Sequence, residues 1–211
     1  MNKLYLIFLV CIYSSSAIAQ DAKGLLDQVS KKVRSYDNIV LDFKYALKNT
    51  AENINQETRG DVSLKGDKYV LNMMGTTQLY DGKKLYTIIH EDEEINIASQ
   101  DAGDEESFTP SNMMTFYESG YNYKMDIKQN VKGRTIQFVK LIPISPTDDV
   151  QEILLGIDDQ TKHIYKMIRK QKNGTQITIT VSSMKTNQPL SETLFVFDKN
   201  KFSGYYINDL D

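Results

Sequence analysis

Residues Ile39–Leu47 read IVLDFKYAL. Ile39, Leu41, Phe43, Tyr45 and Leu47 alternate with Val40, Asp42, Lys44 and Ala46. A period of two with one clearly apolar face is the pattern of a half-buried β-strand. Toward the C-terminus, strand follows strand. Arg59–Leu64 and Lys68–Met74 flank a turn at Lys65-Gly66-Asp67. Gln78–Tyr80 and Lys84–Ile89 flank Asp81-Gly82, where glycine accepts the positive φ that a tight hairpin demands. Glu94–Ala98 follows a short acidic turn. Further strands are expected at Tyr121–Asp126, Thr135–Leu141, Ile153–Asp158, Ile164–Lys172 and Thr175–Ser182. Lys132-Gly133, Asp158–Thr161 and Asn173-Gly174 supply turns between them. Leu194–Phe197 and Gly204–Ile207 add short extended pieces. About ten strands joined by short turns make an antiparallel meander, and a sheet that long must curl or close.

Upstream of Ile39, residues 22–36 read as the single long helix. Leu25, Leu26, Val29, Val33 and Tyr36 recur at helical spacing, while Asp27, Lys31, Lys32 and Arg34 point elsewhere. A helix apolar on one side must lie on something apolar. Midway through the meander, residues 99–108 (SQDAGDEESF) are acidic and read as an exposed loop. Thr109-Pro110-Ser111 then reads as a helix start. Thr109 is the cap and Pro110 fits the first turn, where its missing N–H costs nothing. Met113, Met114, Phe116 and Tyr117 make this short helix apolar, and Gly120 stops it.

The first nineteen residues read as a secretory leader. Lys3 is a short positive region, and Leu4–Tyr13 (LYLIFLVCIY) is an apolar run too short for a bilayer, which needs about 20 residues. Ala17-Ile18-Ala19 places small residues for cleavage between Ala19 and Gln20. Residues 20–211 are expected to form one domain. The single cysteine, Cys11, falls inside the apolar run and lacks the small neighbours of a lipid-attachment site. The mature chain therefore offers no disulfide and no thiolate. A net charge of −3 argues against nucleic acid as a partner.

Catalytic groups do not converge in this sequence, and no enzyme is expected. His90 and His163 sit beside turns, outside any metal-ligand or nucleophile spacing. Asp148-Asp149 and Asp158-Asp159 are adjacent pairs, which point to opposite faces of a strand and read as turn acids. No glycine-rich loop precedes a helix, so no phosphate cradle and no cofactor is expected. The eight methionines, with Met73-Met74 and Met113-Met114 as pairs, suit apolar surfaces that adapt to irregular ligands, although ordinary core packing accounts for them as well.

The order of these elements resembles the LolA family of periplasmic lipoprotein carriers, in a Bacteroidota-type branch. The resemblance lies in Leu25–Phe43, Gly60–Lys65, Leu79–Tyr86, Thr109-Pro110, the strand ending Leu141-Ile142-Pro143 and the closing Phe195-Val196-Phe197. It implies a mainly β protein: a half-open antiparallel barrel with both helices over its concave face. It also implies a periplasmic monomer that binds the acyl chains of lipoproteins. Such a carrier takes them from an inner-membrane ABC release complex to an outer-membrane acceptor. Contacts to acyl chains are expected from Leu25, Val29, Val33, Leu41, Phe43, Leu71, Met73, Met113, Met114 and Phe116. The second expectation is a lipid- or lipoprotein-sensing module of the same fold that acts through a protein partner. The family carries an arginine after the Val/Leu-Lys of the second strand that holds its lid shut; here Gly66 stands there.

Overall fold

The computed structural model describes residues 21–99 and 109–211. The expected leader and most of the acidic segment 99–108 lie outside the described residues; Ser99 ends a strand. The single α-helix among the described residues, α1, covers residues 21–34. The strands are β1 Ile39–Asn49, β2 Ile54–Lys65, β3 Lys68–Met73, β4 Thr76–Tyr80, β5 Lys84–Ile89 and β6 Glu94–Ser99. There follow β7 Tyr121–Val131, β8 Arg134–Pro143, β9 Val150–Asp158, β10 Ile164–Gln171, β11 Gln176–Thr186 and β12 Tyr206–Asp209. They form one open sheet in the order β12-β6-β5-β4-β3-β2-β1-β11-β10-β9-β8-β7. The neighbours from β2 to β6 and from β7 to β10 are antiparallel. β12 departs from the meander and pairs parallel with β6.

The chain forms two compact units, and it passes between them several times. The first holds residues up to 34, 47–55 and 117–178; the second holds 35–46, 56–116 and 179–211. In the first unit β7 to β10 are the framework. Alternate residues Val139 and Leu141 of β8, and Ile153, Leu155 and Ile157 of β9, are almost fully buried on one face. In the second unit, Val70 and Leu79 on one face of the sheet pack with Phe195, which is 1% exposed. Tyr86, Leu190 and Phe197 close around them. Phe197 stacks on Tyr86 at 4.4 Å and on Phe202 at 5.6 Å, so the segment after β11 is an aromatic cover for that face.

Two elements differ from their sequence reading. No α-helix forms after Thr109: residues 110–115 are turns, followed by a 3₁₀ turn at Phe116–Glu118. The expected cap is nevertheless present. Thr109 Oγ1 accepts from the Asn112 N–H at 3.3 Å, and Asn112 Oδ1 accepts from the Thr109 N–H at 2.9 Å. Asn112, Ser111 and Thr115 offer local hydrogen bonds that compete with helix propagation, and a start this short cannot repay nucleation. Leu194–Phe197 is likewise no strand. A 3₁₀ turn spans Glu192–Phe195, with the Ser191 side chain capping the Thr193 N–H. Met74-Gly75 joins β3 to β4 with positive φ at both residues, a tight reversal where the residue pattern alone predicts that the strand runs on through Met74.

Candidate functional site

Strand register decides which expected contacts share a face. In the second unit Gly60 pairs with Met73, Val62 with Leu71, and Leu64 with Tyr69. Paired residues project to the same side, so these rows form one face. A Cβ on Gly60 would meet the Phe43 ring at 2.6 Å, which puts Phe43 on that face too. Alternation along β1 adds Leu41 and Ile39. Four expected residues, Leu41, Phe43, Leu71 and Met73, are therefore brought together. Leu41 and Phe43 are buried; Leu71 and Met73 remain half-exposed. Farther along, Leu71 pairs with Gln78, Gln78 with Thr87 and Thr87 with Asn96, so the face turns polar toward β6. Met114 is buried, while Met113 and Phe116 are half-buried in the turns after Thr109.

In the first unit Leu25 and Val29 lie on the buried stripe of α1 with Ala22 and Leu26; Val33 is half-buried. Tyr123 of β7 donates its hydroxyl to the Tyr117 carbonyl at 2.8 Å. Burial pushes the Tyr123 phenol above its usual range, and Lys23 and Asp27 of α1 act on it from close by. Ser30 Oγ donates to the Tyr117 hydroxyl at 3.2 Å, deep in the unit. Tyr117 is fully buried, and burial pushes its phenol up to about 12, against the pull of the Ser30 bond. Arg34 pairs with Glu118 at the surface. Residues 117–118 are thus tied to the C-terminal half of α1 by one buried and one exposed bond. Neither pair was legible in the sequence, because 84 residues or more separate the partners.

Gly66 has φ +56 with nothing within 4 Å of an added Cβ. Backbone conformation, not space, favours glycine there; an arginine would sit in the left-handed region at a cost of about 1 kcal/mol. The neighbouring Lys65 pairs with Glu192 instead. Asp37, Asn38, Lys65, Gly66, Leu190 and Glu192 are among the residues that line a mixed polar and apolar pocket of ≈ 640 Å³ within the second unit.

His90 is exposed and belongs to a chain of polar side chains. Asn72 donates to Asp61 at 2.9 Å, and Thr77 donates to Asn72 at 2.8 Å. Thr77 Oγ1 and His90 Nε2 are 2.9 Å apart, and His90 Nδ1 lies 3.4 Å from the Tyr205 hydroxyl. With its proton given to Asn72, Thr77 accepts from Nε2–H, which leaves Nδ1 to accept from Tyr205. This imidazole fastens the C-terminal segment to the sheet. His163 is half-buried, and its pKa is lowered by burial, with Lys32 of α1 adding to the effect. Asp158 of the expected acidic pair is buried and caps its turn, accepting from Gln160 and Thr161 N–H at 3.0 Å each. Among the described residues no group of three or more His, Cys, Asp or Glu could hold a metal ion. No described helix is long and apolar enough to cross a membrane.

Residues 14–175 match the family described as outer membrane lipoprotein carrier protein LolA. The chain belongs to the LolA family. The family description is that of a carrier rather than an enzyme. No curated protein matches the chain. Solved structures extend the likeness of this LolA-family fold. An uncharacterized conserved protein from Thermus thermophilus is similar over 90% of this chain and 99% of its own, with a TM-score of 0.57 and 10% identity. The lipoprotein LppX of Mycobacterium tuberculosis is similar over 82% and 98%, with a TM-score of 0.52 and 12% identity. LprF from Mycobacterium bovis is similar over 82% and 95%, with a TM-score of 0.50 and 14% identity. At such identities the likeness is one of fold.

Proposed function

We propose that this LolA-family chain is a periplasmic carrier that shields the acyl chains of lipoproteins between the inner and the outer membrane. The observation that carries the reading is the apolar face of the second unit. There Leu71 and Met73 stay half-exposed beside buried Leu41 and Phe43. A folded β protein gains by burying such side chains, and leaving them accessible is useful where an apolar ligand comes and goes. Burying one CH₂ is worth about 0.8 kcal/mol, so a chain of about 16 carbons left in water would cost about 12 kcal/mol. A shuttle must hide that surface and still release it. Leu71 and Met73 are the proposed chain contacts in the second unit. Leu25, Val29 and Val33 are contacts in the first unit that become accessible when α1 lifts. Residues 1–19 are the proposed leader, removed between Ala19 and Gln20. The donor is an inner-membrane ABC release complex, and the acceptor lies in the outer membrane.

The direct test is purification of the mature protein from the periplasm of its native host, followed by mass spectrometry of what it holds. Acylated peptides in stoichiometric amount, absent from a Leu71→Glu variant, are expected. Recovery of an empty protein together with a protein partner would sink the carrier reading in favour of a sensing module.

A further inference from the structure

The face of the second unit that carries Leu71 and Met73 changes character along one row. Val62 pairs with Leu71, Leu71 with Gln78, Gln78 with Thr87, Thr87 with Asn96 and Asn96 with Asn208. Paired residues project to the same side, so the apolar start and the polar end of the row share one surface. Gln78, Thr87, Asn96 and Asn208 are all half-buried and remain in reach of solvent. At the far end Asn208 donates to Asn96 at 3.1 Å, and Asn96 donates to Glu94 at 2.8 Å. Gln78 and Thr87 differ. Among the described residues no group bonds to the Gln78 side-chain amide or to the Thr87 hydroxyl. Tyr80 and Leu85 pair on one flank of these two residues, and Ile89 lies on the other. Free donors thus sit in a largely apolar surface, immediately beside Leu71.

Charge on this surface is one-sided. Among the residues of β3 to β6 and β12, Glu94 is the one charged side chain on this face. Lys68, Lys84 and Asp209 alternate to the opposite side, where Lys84 lies 3.8 Å from Asp209. An ionised phosphate laid on the row would give up water with no cation in return, and Glu94 would repel it. Neutral carbonyls and amide N–H groups lose far less and find partners in Gln78 and Thr87.

We propose that Gln78 and Thr87 form a polar subsite for the neutral ester and amide groups at the root of the acyl chains. The class it takes is an acylated cysteine rather than the phosphate head of a phospholipid. The Gln78 amide N–H and the Thr87 hydroxyl donate to the cargo's carbonyls, and the Gln78 side-chain oxygen accepts a peptide N–H. The acyl chains run the other way, over Leu71 and Met73. Asn96 and Asn208 continue the row beneath the peptide that follows the cysteine. The inference rests on the acyl-carrier reading and goes further, since it orients the cargo and sets the choice between two amphiphiles with the same chains.

The test displaces N-phenylnaphthylamine, an uncharged apolar dye, from the mature protein. The displacing ligands are a synthetic triacylated lipopeptide with an uncharged, amidated peptide and dipalmitoyl phosphatidylglycerol. Wild type is expected to prefer the lipopeptide. Gln78→Met with Thr87→Val keeps the volume of both side chains and removes the free donors. The ratio of the two affinities should then fall about tenfold or more, the worth of one or two hydrogen bonds between uncharged groups. Gln78→Met alone should give part of that fall, and Thr87→Ser, which keeps the hydroxyl, should retain the wild-type ratio. A wild-type ratio in folded Gln78→Met and in the folded double variant overturns the subsite while the carrier reading stands. So does a wild type that prefers phosphatidylglycerol. Failure of the wild type to bind dye and both lipids overturns the carrier reading itself.

Discussion

The Phe43 ring closes over Gly60, so near that a Cβ at residue 60 would fall 2.6 Å from Cζ of Phe43 and 2.7 Å from the Asn72 carbonyl oxygen. Gly156 and Phe138, a directly opposed pair in the first unit, repeat the arrangement at 2.8 Å. In both places an aromatic ring fills the gap left by a strand glycine, which otherwise weakens a sheet.

Gly60→Ala should therefore destabilise the protein by about 1–3 kcal/mol, the usual cost of overpacking. Adding Phe43→Leu should recover only part of this, because the Asn72 carbonyl cannot move away with the ring. Urea unfolding midpoints of the two single variants and the double variant read the result. An unchanged midpoint for Gly60→Ala would contradict the packing described.

Leu71→Glu and Met73→Glu place a charge on half-exposed positions of the apolar face. Stability should change by about 1 kcal/mol or less, as at other positions that water already reaches. Binding of an apolar dye should drop at least about tenfold, because a carboxylate is costly to bury. Circular dichroism and dye titration on the same samples separate the two effects. Retained dye binding in both variants would remove this face from the proposed site.

The two ties between α1 and residues 117–118 should respond differently. Arg34 is 63% exposed, so Arg34→Ala should change stability by about 1 kcal/mol or less. Tyr117→Phe keeps the buried ring but strands the Ser30 hydroxyl, at a cost of about 1–2 kcal/mol. Hydrogen exchange at residues 116–120 should quicken in both variants. Equal exchange in wild type and Arg34→Ala would show that the surface ion pair does not hold the turn.

Stability should fall at both ends of the pH scale, for separate reasons. Lys140 and Lys170 donate to Glu152 and hold its carboxyl below the usual glutamate value of 4.5. A depressed carboxylate adds stability above its unfolded pKa and loses it as pH falls through the folded value. Glu152→Gln should flatten the acid limb below about pH 4.5. Burial raises Tyr69 and Tyr117 to about 12 from 10.0. Their neutral forms favour the fold, so stability is complete below pH 10.0 and drains away toward about 12. Tyr117→Phe should narrow that alkaline loss. Thermal midpoints measured across pH check both limbs.

Much of the architecture was legible in residue order. The alternation in Ile39–Leu47 put Ile39, Leu41 and Phe43 on one side, and all three are buried. Lys132-Gly133 makes the expected turn, with Gly133 at positive φ. The reading failed where short segments depend on their surroundings. Thr109 caps as expected, yet no helix follows it. Phe195 anchors a 3₁₀ turn because Val70 and Leu79 offer it a place to be buried. The site was less legible than the fold. A strand pattern says that Leu71 and Met73 are apolar, but only the pairing of Val62 with Leu71 and Gly60 with Met73 puts them beside Phe43.

By itself, then, the sequence determined the strands, most of the turns and the helix α1, because period and turn chemistry act over a few residues. Tertiary structure alone decided the parallel docking of β12 on β6 and the bond from Ser30 to Tyr117. It also decided that Gln78 and Thr87 share a side with Leu71. These relations depend on register and on partners distant in the chain. A one-residue slip would move every side chain of a strand to the other face without altering local propensity.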